Sequence, residues 1–394
     1  MNKRKLGIAI VGLGGAVGTT IVAGIELLKK GLIGKEGLPL ADVPENLTED
    51  LAVYENIVCG GWDLHAENLA SAAAEHIVLT HKQFVAVDKD LRRIKPWRAV
   101  GDDKFLSNIK GENKISNNSH RETIERLRKD LQEFRRREKA DEIVVINLAS
   151  TEKLIDDGNE MFNSLASFDK ALDENSPEIS PAMLYAYAAI SEEIPYGNFT
   201  PSVAADIPAL IEFAEKNKVP VAGKDGKTGQ TMIKTALAPA FKTRALRVEG
   251  WYSTNILGNR DGVVLNNPDS LASKIKTKSS VLEDILGYKV EDHIVDIRYY
   301  RPRGDNKEAW DNIDVIGFLG QPMQIKVNFL CKDSILAAPL VIEIARLLDL
   351  AKRRANFGVQ EQLSVFFKLP MTKNGEKPEH ALHKQEKMLL NWLK

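Results

Sequence analysis

A short apolar run, Leu6 to Val11, passes directly into Gly12-Leu13-Gly14-Gly15-Ala16-Val17-Gly18 and then into Thr19 to Lys30, a stretch rich in Ile, Val, Ala and Leu. This order constrains the fold more than any other feature of the chain. The run is long enough for a buried strand, the glycines permit a sharp turn, and the following stretch suits a helix, so together they read as the first half of a βαβ unit. A helix that opens behind such a turn aims its unpaired backbone N–H groups at whatever lies in front, which suits a pyrophosphate. The same turn also serves close packing of strand on helix. Its spacing departs slightly from the usual dinucleotide fingerprint, and the acid expected about twenty residues on is missing from a strand end, because Glu36 lies in a glycine-rich loop.

Further strands repeat the pattern. Ile57-Val-Cys-Gly-Gly-Trp-Asp63 reads as a strand end with a helix starting near Leu64, and Ile143–Ile146 and Val219–Ala222 read as buried parallel strands that end in Asn147 to Glu152 and in a Gly223 loop. Ligands gather at such carboxyl ends. Between them, 100–119 is polar and reads as a mobile loop, and Arg121 to Lys139 alternates charge with apolar residues at helical spacing, an exposed amphipathic helix. After about Gln230 the character changes. Arg244–Ser253, Ile294–Tyr300, Val315–Leu319 and Gln324–Leu330 carry β-branched and aromatic residues interspersed with Lys and Arg, which predicts an antiparallel sheet with one covered face and a surface for a subunit contact. Helical spacing resumes over Ser334–Lys352, with Leu336, Leu340, Ile344 and Leu347 as a stripe, and the segment from Gln360 is expected to return to the first domain.

A chain of 394 residues exceeds what one core ordinarily supports, so two or three domains are expected. Lys and Arg number 54 against 55 acids, a balance that gives no electrostatic reason to expect nucleic acid or an anionic membrane as partner. No apolar run approaches the roughly 18 to 20 residues that a bilayer requires, and the N-terminal run is too short for a signal segment. Cys59 and Cys331 sit in apolar surroundings, which suits two buried thiols in a reducing cytoplasm. The histidines show no metal-ligand spacing; His76 with His81, and His380 with His383, read as surface residues, and no metal site is predicted.

Charge is distributed pointedly over Ser253–Pro339. It runs through Asn255-Ile-Leu257-Gly-Asn259, Ser273-Lys274-Ile-Lys-Thr-Lys278, Gly304-Asp305-Asn-Lys307 and Asp333-Ser-Ile-Leu-Ala-Ala-Pro339. In a helix Lys274 and Lys278 would lie one turn apart on one face, a repulsion of about 0.2 to 0.5 kcal/mol that a bound anion would relieve. Together with Gly223-Lys-Asp225-Gly-Lys-Thr228-Gly-Gln-Thr231, Gly60-Gly-Trp-Asp63 and Ser364-Val-Phe-Phe-Lys368-Leu-Pro370, these ordered blocks closely resemble the myo-inositol-1-phosphate synthase family, and the likeness covers nearly the whole chain.

The resemblance implies an α/β fold. A Rossmann-type NAD-binding domain would span 1–230, an inserted α+β catalytic and tetramerisation domain 231–336, and a segment returning to the Rossmann domain 337–394. It implies NAD held by Gly12, Gly14, Gly15, Ala16, Val17, Gly18, Asp63, Asn147, Thr151, Asp225 and Thr228. Asp63 would meet the adenosine ribose, although from sequence alone it reads as well as a helix cap. Glucose 6-phosphate would be bound by Asn255, Leu257 and Asn259, and the chemistry carried by Lys274, Lys278, Lys307, Lys368, Asp225, Asp305 and Asp333. Taken alone, each lysine reads first as a solvated surface charge, except Lys368, whose apolar neighbours Val-Phe-Phe and Leu-Pro suggest a mostly buried setting, and Asp333 reads also as the cap of a helix from Ser334. A cytoplasmic homotetramer is implied, with room for a divalent or monovalent cation.

The chain departs from the family pattern at Lys224, where many members have aspartate, at Arg260 in place of asparagine, and at Lys332 in place of glutamate. Two other readings keep the same features. One is an NAD(P)-dependent dehydrogenase of a small phosphorylated or amino-acid-derived substrate; the other is a dinucleotide-binding sensor without catalysis.

Overall fold

The computed structural model describes residues 4–106, 110–258 and 281–394. Strand β1 (Leu6–Val11) lies inside a seven-stranded sheet with β2 (Ile57–Asp63), β3 (Trp97–Arg98), β4 (Glu142–Asn147), β5 (Tyr196–Asn198), β6 (Pro220–Gly223) and β11 (Gly358–Val359), in the order β11-β6-β5-β4-β1-β2-β3. Its pairings are parallel, and Leu6 sits opposite both Ile57 and Glu142. Every residue of β1 and β4 is buried. Both faces of the sheet are covered, which is why these strands are continuous apolar runs rather than alternating ones.

Helices α1 (Ala16–Lys29) and α7 (Asp333–Arg353) cover one face, their apolar residues sharing a core with Leu6, Ile8 and Ile10. The other face carries α3 (His120–Glu138), α4 (Pro181–Ser191) and α5 (Pro208–Lys216), packed with Ala9 and Val11. The chain proceeds from β1 to β2 and β3 on one side and to β4, β5 and β6 on the other. A crevice therefore opens at the carboxyl ends of β1 and β4, where the order reverses.

The second sheet has the order β10-β9-β7-β8, from β7 (Arg247–Leu257), β8 (Asp292–Tyr299), β9 (Asn306–Ile316) and β10 (Pro322–Lys332). The pairings of β9 are antiparallel, but β7 and β8 run parallel, so the sheet is mixed rather than antiparallel as expected. The long stretch between Leu257 and Asp292 is what allows this, since a parallel neighbour needs a crossover and not a hairpin. One face packs on α6 (Gln230–Thr243) through Trp251, Ile313 and Phe241. The other leaves Tyr252, Ile294 and Leu330 exposed.

Other expectations shift. The helix after β2, named α2, spans Leu69–His76 and is capped by Asn68, which accepts from the N–H groups of Ala70 and Ser71, so Asp63 is no helix cap. The return to the first sheet begins at α7, well before Gln360, because α7 is buried on all sides from Val341 to Ala351. The stripe read at helical spacing understates this helix. Its charged residues are paired internally: Glu343 accepts from Tyr54 Oη (2.6 Å) and Arg346, and Asp349 from Arg4 (2.8 Å). Residues Val315–Leu319 are not a strand of their own but the end of β9 and a tight turn, with Leu319 at φ 60°. Both thiols are free, Cys331 buried and Cys59 half-buried.

Gly61 has φ 151°, and a Cβ there would lie 1.9 Å from the Ile10 carbonyl oxygen. Gly61→Ala must push β2 off β1, with an expected stability loss of at least about 3 kcal/mol in urea denaturation; an unchanged midpoint would contradict this packing.

Candidate active site

The first turn after β1 is nearly all backbone, with Leu13 alone sending a side chain into the core. Gly12 (φ 86°) and Leu13 donate their N–H groups to the Trp62 carbonyl at 2.9 and 3.0 Å. A Cβ on Gly18 would stand 2.5 Å from the Leu13 carbonyl oxygen. Helix α1 starts behind Gly15 with no side-chain cap and no acid in its first turn, so its N-terminal dipole is uncompensated. Asp63 closes the loop from β2: one carboxylate oxygen accepts from Gly14 N–H at 2.8 Å and the other from His65 N–H at 3.0 Å. His76 Nε2 lies 2.8 Å from the Gly14 carbonyl oxygen.

Across the crevice, β4 ends in Asn147, whose carbonyl oxygen Oδ1 accepts from Ala149 N–H at 3.1 Å and whose amide donates to Asn198 Oδ1 at 3.3 Å. Thr151 and Glu152 follow, both buried. Glu152 accepts from Ala182 N–H at the start of α4, and burial pushes its carboxyl up to about 7. A glycine cradle, a bare helix N-terminus and a carboxylate at the end of β2 fit a dinucleotide.

The second half of the site comes from the loop after β6. Asp225 (φ 60°) points its carboxylate at Lys368, with Nζ to Oδ1 at 2.6 Å and both groups buried. The backbones are tied as well: Lys368 N–H donates to the Asp225 carbonyl at 2.7 Å, and Gly226 forms a bridge to Phe367. Lys307, on β9, donates to Asp333 Oδ1 at 3.2 Å, and Thr228 Oγ1 donates to the same oxygen at 3.1 Å. Asp333 is the first residue of α7 and not its cap. Asp305 Oδ1 accepts from Ser334 Oγ at 2.6 Å, while Oδ2 has no hydrogen-bond partner among the described residues; burial pushes this carboxyl up to about 6. Asn255 donates to Gln230 Oε1, and Gln230 donates to the buried Asp311 at 3.2 Å.

These groups face one cavity of about 630 Å³. Among the residues expected to act, its lining includes Gly12, Gly15, Ala16, Val17, Gly18, Asp63, Asn147, Thr151, Asp225, Thr228, Asn255, Leu257, Asp305, Lys307, Asp333 and Lys368. Gly14 is outside the lining and acts through its N–H to Asp63. Lys274, Lys278, Asn259 and the departure at Arg260 lie outside the described residues. The starts of α1, α6 and α7 all border the cavity, at Ala16, Gln230 and Asp333. Neither α6 nor α7 has a side-chain cap. The α1 and α6 dipoles and the two ammonium groups favour a phosphorylated anion, while Asp333 offsets the α7 dipole.

Some contributors were not singled out from sequence. Gln230 and Thr231 line the cavity from the first turn of α6; the signal was present as the glycines Gly226 and Gly229 directly before a helical stretch. His76 is no plain surface residue, since it touches the glycine turn, and His380 is buried. Lys224 is held by Asp206 at 2.6 Å; burial works against its charge, but Asp206 outweighs that and the amine titrates above its usual range. Lys332 donates to the Val78 carbonyl at 3.1 Å.

Comparison with known proteins agrees over the full length. A family model described as myo-inositol-1-phosphate synthase, an NAD-binding domain, matches residues 41–394. The chain is 43% identical to inositol-3-phosphate synthase 1 of Bacteroides thetaiotaomicron, covering 99% of this chain and 95% of that one. It is 30% identical to inositol-3-phosphate synthase 1 of Oryza sativa subsp. japonica, over 99% of this chain and 85% of the relative. Among solved structures, inositol-3-phosphate synthase of Caenorhabditis elegans superposes with a TM-score of 0.92 at 26% identity, over 100% of this chain and 86% of that one. A myo-inositol-1-phosphate synthase-related protein of Thermotoga maritima gives 0.82 at 26% identity, over 99% and 98%.

The raised Asp305 carboxyl makes stability depend on pH. Its folded value, about 6, lies above the unfolded value of about 3.9, so the folded state holds the proton more tightly and stability is lost as pH rises from about 4 through 6. Asp305→Asn removes that loss. Its Tm is expected above wild type at pH 8, with the gap closing toward pH 4; a variant less stable at pH 8 would contradict the assignment.

Proposed function

The chain belongs to the myo-inositol-1-phosphate synthase family, and from that premise we propose that it is an inositol-3-phosphate synthase, converting D-glucose 6-phosphate into 1D-myo-inositol 3-phosphate with no net redox change. The observation that carries the reading is the presence of two lysine–carboxylate pairs, Lys368–Asp225 and Lys307–Asp333, on the cavity that the glycine turn also borders. A plain hydride transfer needs fewer cations than that.

The reaction requires oxidation at C5, loss of a proton from C6, bond formation between C6 and C1, and reduction at C5. NAD, held by the glycine turn and Asp63, supplies a hydride acceptor that later gives the hydride back. The protein must move protons and hold oxyanions. We assign Lys368 to the C5 oxygen: with its own proton passed to Asp225, the amine takes the hydroxyl proton while C5 is oxidised, and as the ammonium it stabilises the enolate oxygen and finally returns the proton. Asp225, 2.6 Å from its Nζ, keeps that ammonium in place. The C6 proton passes to the substrate's own phosphate. C6 then adds to the C1 aldehyde, and the C1 alkoxide takes a proton from the set Lys307, Lys274 and Lys278, which holds the phosphate together with the first turn of α6 and regains that proton from it. Asn255, Leu257 and Asn259 bind the sugar, and Asp333 and Asp305 orient Lys307 and the start of α7.

The exposed apolar face of the second sheet, with Tyr252, Ile294 and Leu330, supports a subunit contact, and we read the enzyme as a homotetramer. Two free thiols suit a cytoplasmic setting. Glucose 6-phosphate with catalytic NAD is expected to yield inositol phosphate, identified by phosphorus NMR and mass, without accumulation of NADH. A steady rise in NADH absorbance would mean a dehydrogenase instead, and neither product would leave a sensor. Light scattering on the eluting protein is expected to give four chains, and a monomer at working concentration would contradict the contact.

A further inference from the structure

Lys227 stands in the middle of the catalytic loop yet is absent from the cavity lining, although Asp225, Gly226 and Thr228 beside it all contribute. Its side chain turns the other way. It is buried at 4% exposure, and its Nζ donates to Oε1 of Gln385 on α8 (Leu382–Leu393), which packs against α6. Gln385 is fully buried and fixed in turn, donating to the Glu379 carbonyl at 2.6 Å. On the backbone side Lys227 N–H donates to the Phe366 carbonyl at 2.8 Å, next to the bridge that seats Lys368.

We propose that Lys227 is a positioning residue that ties the Asp225 loop to the C-terminal helix through Gln385, and so holds the Asp225–Lys368 pair in register. The inference rests on the reading of Lys368 given above. A methionine would fill the same space without desolvating a charge, and no carboxylate pairs with Lys227 among the described residues. Of the titratable groups on the segment before α8, His380 lies 3.7 Å from Asp284 and is held below its usual range by burial and by the charge of Lys227, and Glu379 is paired with Lys384 at 3.0 Å. Burial alone pushes the Lys227 amine down to about 7. The folded state therefore resists protonating it. Its cost to stability is full below about pH 7 and fades as pH rises toward the unfolded value of about 10.4. A residue that weakens the fold directly behind a reaction site, while donating to a fixed acceptor, belongs to the site's geometry.

Lys227→Met in the full-length protein tests this with three readouts. The kcat is expected to fall about 10- to 100-fold, as a displacement of catalytic groups does. The KM for glucose 6-phosphate should stay within about twofold, because ground-state contacts are kept. Amide hydrogen exchange should accelerate over 223–229 and 366–370 alone, while the Tm at pH 6 is not lowered. Gln385→Leu should accelerate the same amides, and Gln385→Glu, which keeps an acceptor, should not. If exchange in both segments and kcat stay at wild-type values in Lys227→Met, or if kcat falls only in step with a lowered Tm, the proposal is overturned. Faster local exchange in a protein that never forms inositol phosphate would sink the assigned reaction and leave the tie standing.

Discussion

The contact between Asp225 and Lys368 organises the rest of the molecule. An ammonium and a carboxylate have been taken out of water together, 2.6 Å apart, and losing either would strand the other at a cost of about 3 to 5 kcal/mol. The pair joins two pieces of chain that are far apart in sequence, the loop after β6 and the segment before Pro370. It works only because the backbones run alongside each other, with Lys368 N–H on the Asp225 carbonyl and Gly226 bridged to Phe367. The return of the C-terminal segment to the first sheet is thus a requirement of the site as much as of the core.

Around this pair the fold supplies positive potential with few full charges. The α1, α6 and α7 N-termini reach the cavity from different parts of the chain; α1 and α6 carry no acid in their first turns, whereas α7 opens with Asp333 and has Asp305 on Ser334. The first two each contribute roughly half a unit of positive charge from backbone groups, and the acids at α7 offset its share. Lys307 and Lys368 are each held by a carboxylate, which keeps their donors aimed before an oxyanion develops. The crevice lies where the strand order reverses, and the glycine turn and the lysine pairs border the same cavity there.

Much of this was legible in the sequence because it rests on local chemistry. The strand, glycine turn and helix from Leu6 to Lys30 declare themselves by burial pattern and by the absence of side chains where backbone must pass. Asp225, Lys307, Asp333 and Lys368 were picked out by the company of their blocks. What escaped depends on long-range contacts. The parallel course of β8 beside β7 follows from a crossover, which a period of two along each strand does not encode. The burial of α7 on all sides was hidden by Glu343, Arg346 and Asp349, whose partners Tyr54 and Arg4 are hundreds of residues away. Lys227 and Lys234 carry no local signal of burial, yet one is buried against Gln385 and the other lies 2.7 Å from His293, partnerships that only the assembled fold creates. Asp63 was ambiguous between cap and ligand because Asn68, five residues on, does the capping.

In the proposed reaction the Lys368 ammonium sits on the oxygen at C5. The most direct measurement is a crystal structure of the protein with NADH and glucitol 6-phosphate, the reduced open-chain form of the substrate, which lacks the aldehyde needed to close a ring. Lys368 Nζ is expected within hydrogen-bond distance of the C5 oxygen, about 3 Å, with Asp225 still on its other side. A ligand bound with C5 turned away from Lys368, or phosphate seated on Lys368 in its place, would contradict the account.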